Sequence, residues 1–182
     1  MTVTEKTQNL APAGTWAADP VHSHVSFEVA HAGVNTFRGG FGEFQAVLDR
    51  GTLAGSAKVA SVDVKDEQLN GHLQTPDFFD AQRHPEITFT ATELVRNADD
   101  TVTGKGELTI KGVTKPVTLA GTIAPAPSVD PFGRERLGLR LESSVDRTDF
   151  GVDWNAPNQG GGDYLGTDVK LIAELALVKQ EG

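Results

Sequence analysis

The sequence predicts an all-β fold of about eight antiparallel strands that carries one short helical insertion. Three observations support this class: apolar and polar residues alternate with period two over most of the chain, the connectors are short and rich in Gly, Asn and Asp, and only residues 66–80 have a helical pattern. Period-two alternation is typical of strands that bury one face. We therefore expect a sheet with a single apolar side.

The elements follow one another in a simple order. Residues 1–13 are polar, contain Pro12 and show no periodicity, which predicts a mobile N-terminal arm in front of one domain over residues 14–180. Connectors such as 97–100 and 111–112 suit hairpins, so neighbouring strands should pair antiparallel. The predicted strands, the first with a break at Pro20 left open, are 15–30, 36–48, 54–64, 86–96, 101–110, 115–124, 135–146 and 167–178.

The number of predicted strands bears on whether the sheet closes into a barrel. Eight antiparallel strands with one apolar face can close into a barrel wide enough for one slender ligand. Gly39-Gly40 in the second strand predicts the bulge or bend that closure requires, with a simple loop as the alternative. A β-sandwich has the same periodicity and stays open as an alternative.

The insertion is the one helical segment that the sequence predicts. Asp66 is placed to cap a short helix with Leu69, His72 and Leu73 on one face. Thr75-Pro76 predicts the N-cap and first helical residue of a second short turn that carries Phe78-Phe79. Such large apolar groups need a surface to cover. We expect them to cover the mouth of a barrel, with the outer wall as the alternative.

Composition excludes several function classes. The chain has 182 residues, a formal net charge of −9 and no Cys. One domain fits this length, and the negative charge makes nucleic acid an improbable partner. Without Cys there are no disulfides and no thiolate nucleophiles or metal ligands.

The amino terminus bears on the location of the protein. Residues 2–8 are polar, and the apolar run that follows is short and interrupted by Pro12, so no secretory signal is visible. No run approaches the roughly 20 apolar residues of a membrane span. We expect a cytoplasmic protein, or a secreted or periplasmic one if a leader was removed.

Candidate catalytic and metal-binding residues are few. His22 and His24 stand two apart on a predicted strand, a spacing that places two zinc ligands on one face, although they share that face with polar residues typical of a solvated exterior. The acidic residues near 146–168 do not fit a calcium loop, and the chain has no nucleophile or phosphate-loop motif. We expect no catalysis and no cofactor.

Several motifs together resemble one known family. They recur in that family's order over about residues 14–178 and comprise Asp19-Pro20-Val21-His22-Ser23, Arg38-Gly39, Gly71-His72-Leu73 with the run to Asp80, Leu108 to Lys115, Arg147-Thr148-Asp149-Phe150-Gly151, and Asp168-Val169. On these residues the chain resembles the YceI-like family. It departs from the family where similar sequences carry Arg-Asp and this one has Leu69-Asn70, which puts a head-group contact in doubt.

The resemblance implies a lipocalin-like barrel that holds a polyisoprenoid chain, either a polyprenyl lipid or an isoprenoid quinone, in transport, storage or stress protection. It leaves monomer and homodimer open. A metal-dependent enzyme using His22 and His24, or a ligand-free interaction module, are the alternatives. The apolar faces supply the candidate ligand-binding residues, which are Phe27, Val29, Phe37, Phe41, Leu69, Leu73, Phe78, Phe79, Phe89, Leu139, Leu141 and Leu171.

Overall fold

A computed structural model describes residues 10–181 and contains twelve strand segments and one α-helix in that range. The segments are β1 Thr15–Ala18, β2 His24–His31, β3 Asn35–Phe41, β4 Phe44–Asp49, β5 Thr52–Lys58, β6 Val62–Asp63, β7 Glu86–Arg96, β8 Thr101–Ile110, β9 Val113–Ile123, β10 Ser128–Val129, β11 Glu135–Asp146 and β12 Leu165–Lys179. The helix, α1, spans Glu67–Leu73, and two 3₁₀ turns span Val59–Ser61 and Arg147–Phe150.

These segments form eight barrel strands, because four pairs of segments each make one interrupted strand. The pairs are β1 with β2, β3 with β4, β5 with β6, and β9 with β10, and consecutive barrel strands are hydrogen-bonded antiparallel. The ring closes where β11 pairs with β12 along its length and β12 pairs with β1 and β2. The predicted eight-stranded antiparallel barrel is confirmed, and the sandwich is excluded.

The breaks and turns have local causes. The first strand is interrupted around Pro20, because β1 ends at Ala18 and β2 begins at His24. The sequence pattern had left this break open. Lys111 and Gly112 both have positive φ, 52° and 76°, as a two-residue hairpin turn of type I′ requires.

Of the alternatives predicted at Gly39-Gly40, the bulge and the simple loop are wrong, because both residues lie in β3, and the bend stays a prediction. The β2–β3 register is continuous there, and the register shifts lie instead at Ala91/Glu93 and Leu165/Val169. A Cβ on Gly39 would stand 2.4 Å from Cζ of Phe27 and 2.7 Å from Cγ1 of Val64. Gly39 is therefore needed because the Phe27 ring lies directly over the backbone.

One end of the barrel is filled with side chains. Leu10, Trp16, Leu48, Leu94 and Leu177 each have less than 2% of their surface exposed. We call this half the closed end. Residues 1–9 of the predicted arm lie outside the described residues, and Leu10, which follows them, is fully buried, so the packed domain begins before residue 14.

A charge network covers the outside of the closed end. Arg136 donates to Asp19 (2.9 Å) and to Asp130 (2.8 Å). Hydrogen bonds from His22, Arg136 and the Val21 amide hold the pKa of Asp19 well below its usual range. The Arg134 amide and the Arg136 side chain do the same for the pKa of Asp130.

The insertion lies across the opposite end, which we call the mouth. Asp66 caps α1 as predicted, accepting a 3.0 Å bond from the Gln68 amide. The second turn is confirmed, because residues 76–79 form a turn and the Phe78 amide donates to the Thr75 carbonyl (3.0 Å). Thr75 does not cap it through its side chain, since the Thr75 hydroxyl donates to the His72 carbonyl (2.6 Å). No helix among residues 10–181 is long and apolar enough to cross a bilayer.

Candidate functional site

The mouth half of the barrel encloses a cavity of about 430 Å³. This volume lies within the range of about 300–1,000 Å³ that is usual for small-molecule sites. The inward-facing residues of the strands form its wall, and the side chains of the closed end form its floor. The register places one such face clearly, since Leu141, Ser143 and Val145 of β11 stand opposite Ala173, Leu171 and Val169 of β12.

Most of the predicted ligand-binding residues line this cavity. The eleven that do are Phe27, Val29, Phe37, Phe41, Leu69, Leu73, Phe78, Phe79, Phe89, Leu141 and Leu171. Leu139 does not, because it is packed into the closed end with 2% of its surface exposed. The insertion covers the mouth rather than the outer wall. Contact between these residues and a ligand stays a prediction.

Nine rings around the mouth half form a connected set, which we call the aromatic collar. Neighbouring ring centroids lie 4.9–6.4 Å apart, and every member lines the cavity. The collar comes closest to solvent at Tyr164, which is 38% exposed. Its members are Phe27, His31, Phe37, Phe41, His72, Phe78, Phe79, Trp154 and Tyr164.

Two histidines supply polar atoms within the collar. His31 lies between Asn35 (Nδ1 to Oδ1, 2.9 Å) and Tyr164 (Nε2 to the hydroxyl, 2.9 Å). His72 pairs with Asp77 (Nε2 to Oδ2, 3.0 Å), and its ring packs edge-on against its aromatic neighbours. These histidines, Trp154 and Tyr164 are not among the ligand-binding residues that the sequence predicts.

Arg147 is a buried cation in the cavity wall. Its side chain donates to four backbone carbonyls, those of Val152 (2.7 Å), Trp154 (2.9 Å), Leu165 (3.3 Å) and Gly166 (2.7 Å). Burial lowers the pKa of this guanidinium. The bonds fasten the loop after β11 to the start of β12 and so position Trp154.

Asn155 and Lys111 hold the same region in place. The Asn155 side chain exchanges hydrogen bonds with the backbone of Leu165 (2.7 and 2.9 Å). Lys111 donates to the carbonyls of Pro76 (2.6 Å) and Gly151 (3.1 Å), which joins the insertion to the loop after β11. The loops that carry the collar are thus tied to one another and to the barrel.

The loops at the mouth, residues 32–34, 64–85, 111–112 and 147–164, carry excess negative charge. Seven carboxylates stand against four cations, a net charge of −3 with the histidines neutral. Two of the cations, Lys111 and Arg147, are occupied by backbone carbonyls. The acidic residues are Asp66, Glu67, Asp77, Asp80, Asp149, Asp153 and Asp163, and the basic ones are Lys65, Arg83, Lys111 and Arg147.

Ser143 interrupts the apolar face of β11. Ser143 is 8% exposed, and its hydroxyl has no hydrogen-bond partner within residues 10–181. It stands opposite Leu171 in the register. Ser143 therefore adds one unpaired polar atom to an otherwise apolar stretch of wall.

The geometric basis of the zinc hypothesis is wrong. His22 lies in a turn, where Nδ1 is 2.7 Å from Oδ2 of Asp19, and only His24 belongs to β2, so the two do not share a strand face. In the described part of the chain no three His, Asp or Glu side chains come together as metal ligands. Asp146 instead caps the following 3₁₀ turn through Thr148 (2.9 Å).

Known proteins share this architecture. The protein-family model described as the YceI-like domain matches residues 16–177 of this chain. Protein YceI of Escherichia coli is 31% identical over 138 residues, which cover 72% of this chain and 71% of that protein.

Solved structures agree in fold. The Campylobacter jejuni YCEI protein has a TM-score of 0.71 at 26% identity, covering 84% of this chain and 90% of that one. A domain from Saccharophagus degradans that is named a polyisoprenoid binding domain has a TM-score of 0.69 at 14% identity, covering 91% and 98%. With the family match over nearly its whole length, the chain belongs to the YceI-like family.

Proposed function

We propose that the protein is a non-enzymatic carrier that holds a long isoprenoid, a polyprenyl lipid or an isoprenoid quinone, with its tail in the cavity and its head group at the aromatic collar. The observation that carries this proposal is the cavity of about 430 Å³, lined almost wholly by apolar side chains and blocked at one end. A space of this shape suits a slender apolar chain. The name of the Saccharophagus degradans domain gives independent support for this ligand class.

Energetics limit what the cavity can contribute. At about −0.3 kcal/mol per non-hydrogen atom, twenty buried carbons supply roughly −6 kcal/mol relative to water. An isoprenoid already dissolved in a membrane gains little hydrophobic energy on transfer, because the hydrocarbon of the bilayer is as apolar as the cavity. Selectivity must then come from the length and shape of the cavity and from polar atoms at the mouth.

The polar groups of the cavity favour binding over catalysis. His72 with Asp77 has the orientation of a histidine–carboxylate pair, yet no Ser or Thr hydroxyl within the described residues bonds to the His72 ring. The only hydroxyl bonded to the His31 ring within residues 10–181 is the phenol of Tyr164, and neither histidine ring bonds to a Ser or Thr hydroxyl there. The cavity therefore lacks the Ser–His or Thr–His pairing of an activated aliphatic hydroxyl.

Organic extraction of the purified protein followed by mass spectrometry tests the proposal. We expect a co-purifying isoprenoid, or uptake of a twenty-carbon isoprenoid alcohol by protein stripped of lipid. Phe89→Asp should abolish uptake, because Phe89 lines the cavity and an unpaired carboxylate there is costly. Thr88→Asp is the matched control, since Thr88 is exposed on the outer face of the same strand. Wild-type protein that is empty and refuses every isoprenoid would refute the function.

The oligomeric state and the location stay predictions. Light scattering after gel filtration distinguishes a monomer from the homodimer, and cell fractionation tests the expected cytoplasmic location.

A further inference from the structure

The polar atoms of the collar define what a head group could contact, if the cavity takes isoprenoids as proposed above. Asn35 presents its side-chain oxygen to Nδ1 of His31, so Nδ1 carries the proton and Nε2 of the neutral ring accepts from the Tyr164 hydroxyl. The Tyr164 oxygen can then accept a bond from a ligand hydroxyl. The Tyr164 O–H can alternatively turn from Nε2 of His31 to a ligand carbonyl, because a phenol carries one donor and two acceptor sites.

His72 provides a second contact on the other side of Trp154. Asp77 only accepts, so Nε2 of His72 carries the proton, and Nδ1 is left as an acceptor without a partner among residues 10–181. The Trp154 ring lies 5.2 Å from His72 and 6.4 Å from Tyr164. The two polar groups thus neighbour one indole ring, whose Nε1–H is a further polar group of the collar.

The charges at the mouth oppose an anionic head group. Arg147 and Lys111 direct their donors at backbone carbonyls and not at the cavity. Asp153 and Asp163 stand close enough to Arg147 to oppose the burial that lowers its pKa. Because like charges repel, a phosphate placed among loops with a net charge of −3 is disfavoured.

We propose that the mouth selects an isoprenoid with an uncharged hydroxyl or carbonyl head group and rejects the diphosphate of the same tail. Tyr164 and His72 bond to the head group, Trp154 packs against it, and the carboxylates around them exclude phosphate. The inference rests on the proposed function and narrows its ligand class.

A tail-matched pair of ligands tests the selection. Geranylgeraniol and geranylgeranyl diphosphate carry the same twenty-carbon tail, and both are presented to lipid-free protein at low salt with binding followed by native mass spectrometry. We expect the diphosphate to bind at least about tenfold more weakly. The difference should shrink as salt screens the carboxylates. Equal or tighter binding of the diphosphate overturns the inference alone, whereas failure of both ligands overturns the proposed function and this inference with it.

Variants assign the selection to named residues. Asp153→Asn should tighten diphosphate binding and leave the alcohol unchanged, while Glu181→Gln, which removes the same charge at the closed end, should change neither. Tyr164→Phe should weaken the alcohol by roughly three- to tenfold, the size of one hydrogen bond, and leave the diphosphate unaffected. If Asp153→Asn and Glu181→Gln behave alike, or if Tyr164→Phe weakens both ligands equally, the mouth does not select by charge and hydrogen bonding.

Discussion

Replacing Gly39 by Ala should destabilise the barrel and reduce the cavity in a single step. The new Cβ would lie 2.4 Å from Cζ of Phe27 and 2.7 Å from Cγ1 of Val64. Carbon atoms in contact sit about 3.5–4.0 Å apart, so the Phe27 ring must move by roughly 1.1 Å, the difference between about 3.5 and 2.4 Å. Phe37 and Phe41 flank this ring at 6.4 and 6.0 Å, and its remaining free side faces the cavity.

The expected cost follows from overpacking. Added methyl groups in packed cores cost about 1–3 kcal/mol, and each kcal/mol shifts the Tm of a chain of this size by about 2–4 °C. We therefore expect Tm to fall by roughly 2–12 °C and uptake of the twenty-carbon alcohol to weaken, because the displaced ring occupies ligand space. Thermal unfolding followed by circular dichroism and the uptake assay measure the two effects separately.

A second glycine provides the control for Gly39→Ala. Gly138 lies in β11, and a Cβ there meets only the Cβ of Ala124 at 3.9 Å, an ordinary contact. Gly138→Ala should leave both Tm and uptake near the wild-type values. A Gly39→Ala protein that unfolds within about 0.5 kcal/mol of the wild type and binds equally well would show that Phe27 does not depend on this glycine.

Three further perturbations test other parts of the molecule. Arg147→Lys should cost roughly 2–4 kcal/mol in urea unfolding, because one ammonium cannot reach the four carbonyls that the guanidinium serves. The free energy of unfolding should fall as the pH drops below about 4, because the pKa values of Asp19 and Asp130 are lower in the folded state than in the unfolded one. In urea unfolding, Arg136→Ala should lessen this loss of stability between pH 6 and pH 3. His22→Ala should leave isoprenoid uptake unchanged in the extraction assay, because His22 lies in a turn at the closed end.

The positions of the strands were predictable because alternation records which face is buried. The interruption near Pro20 was also visible, since proline lacks the amide that a central strand needs. The break at Val59–Ser61 was not, because the sequence there is as apolar as a strand. Local bonds decide it, such as that from the Ser61 hydroxyl to the Lys58 carbonyl (2.6 Å).

The cavity was predictable only in part. Leu139 and Leu141 lie on the same face of one strand, yet Leu139 is packed into the core of the closed end and Leu141 lines the cavity. That packing depends on contacts distant in sequence. Trp154 and Tyr164 come from an aperiodic loop, where alternation carries no signal.

The residues that fill the closed end determine how any ligand would enter and leave the cavity. A tube that is closed at one end has a single opening, so a long molecule must enter with its tail first and leave with its head group first. Loading and unloading would then use the same face of the protein, which has to visit donor and acceptor surfaces in turn. Under the proposed function, the protein would therefore act as a shuttle and not as a conduit.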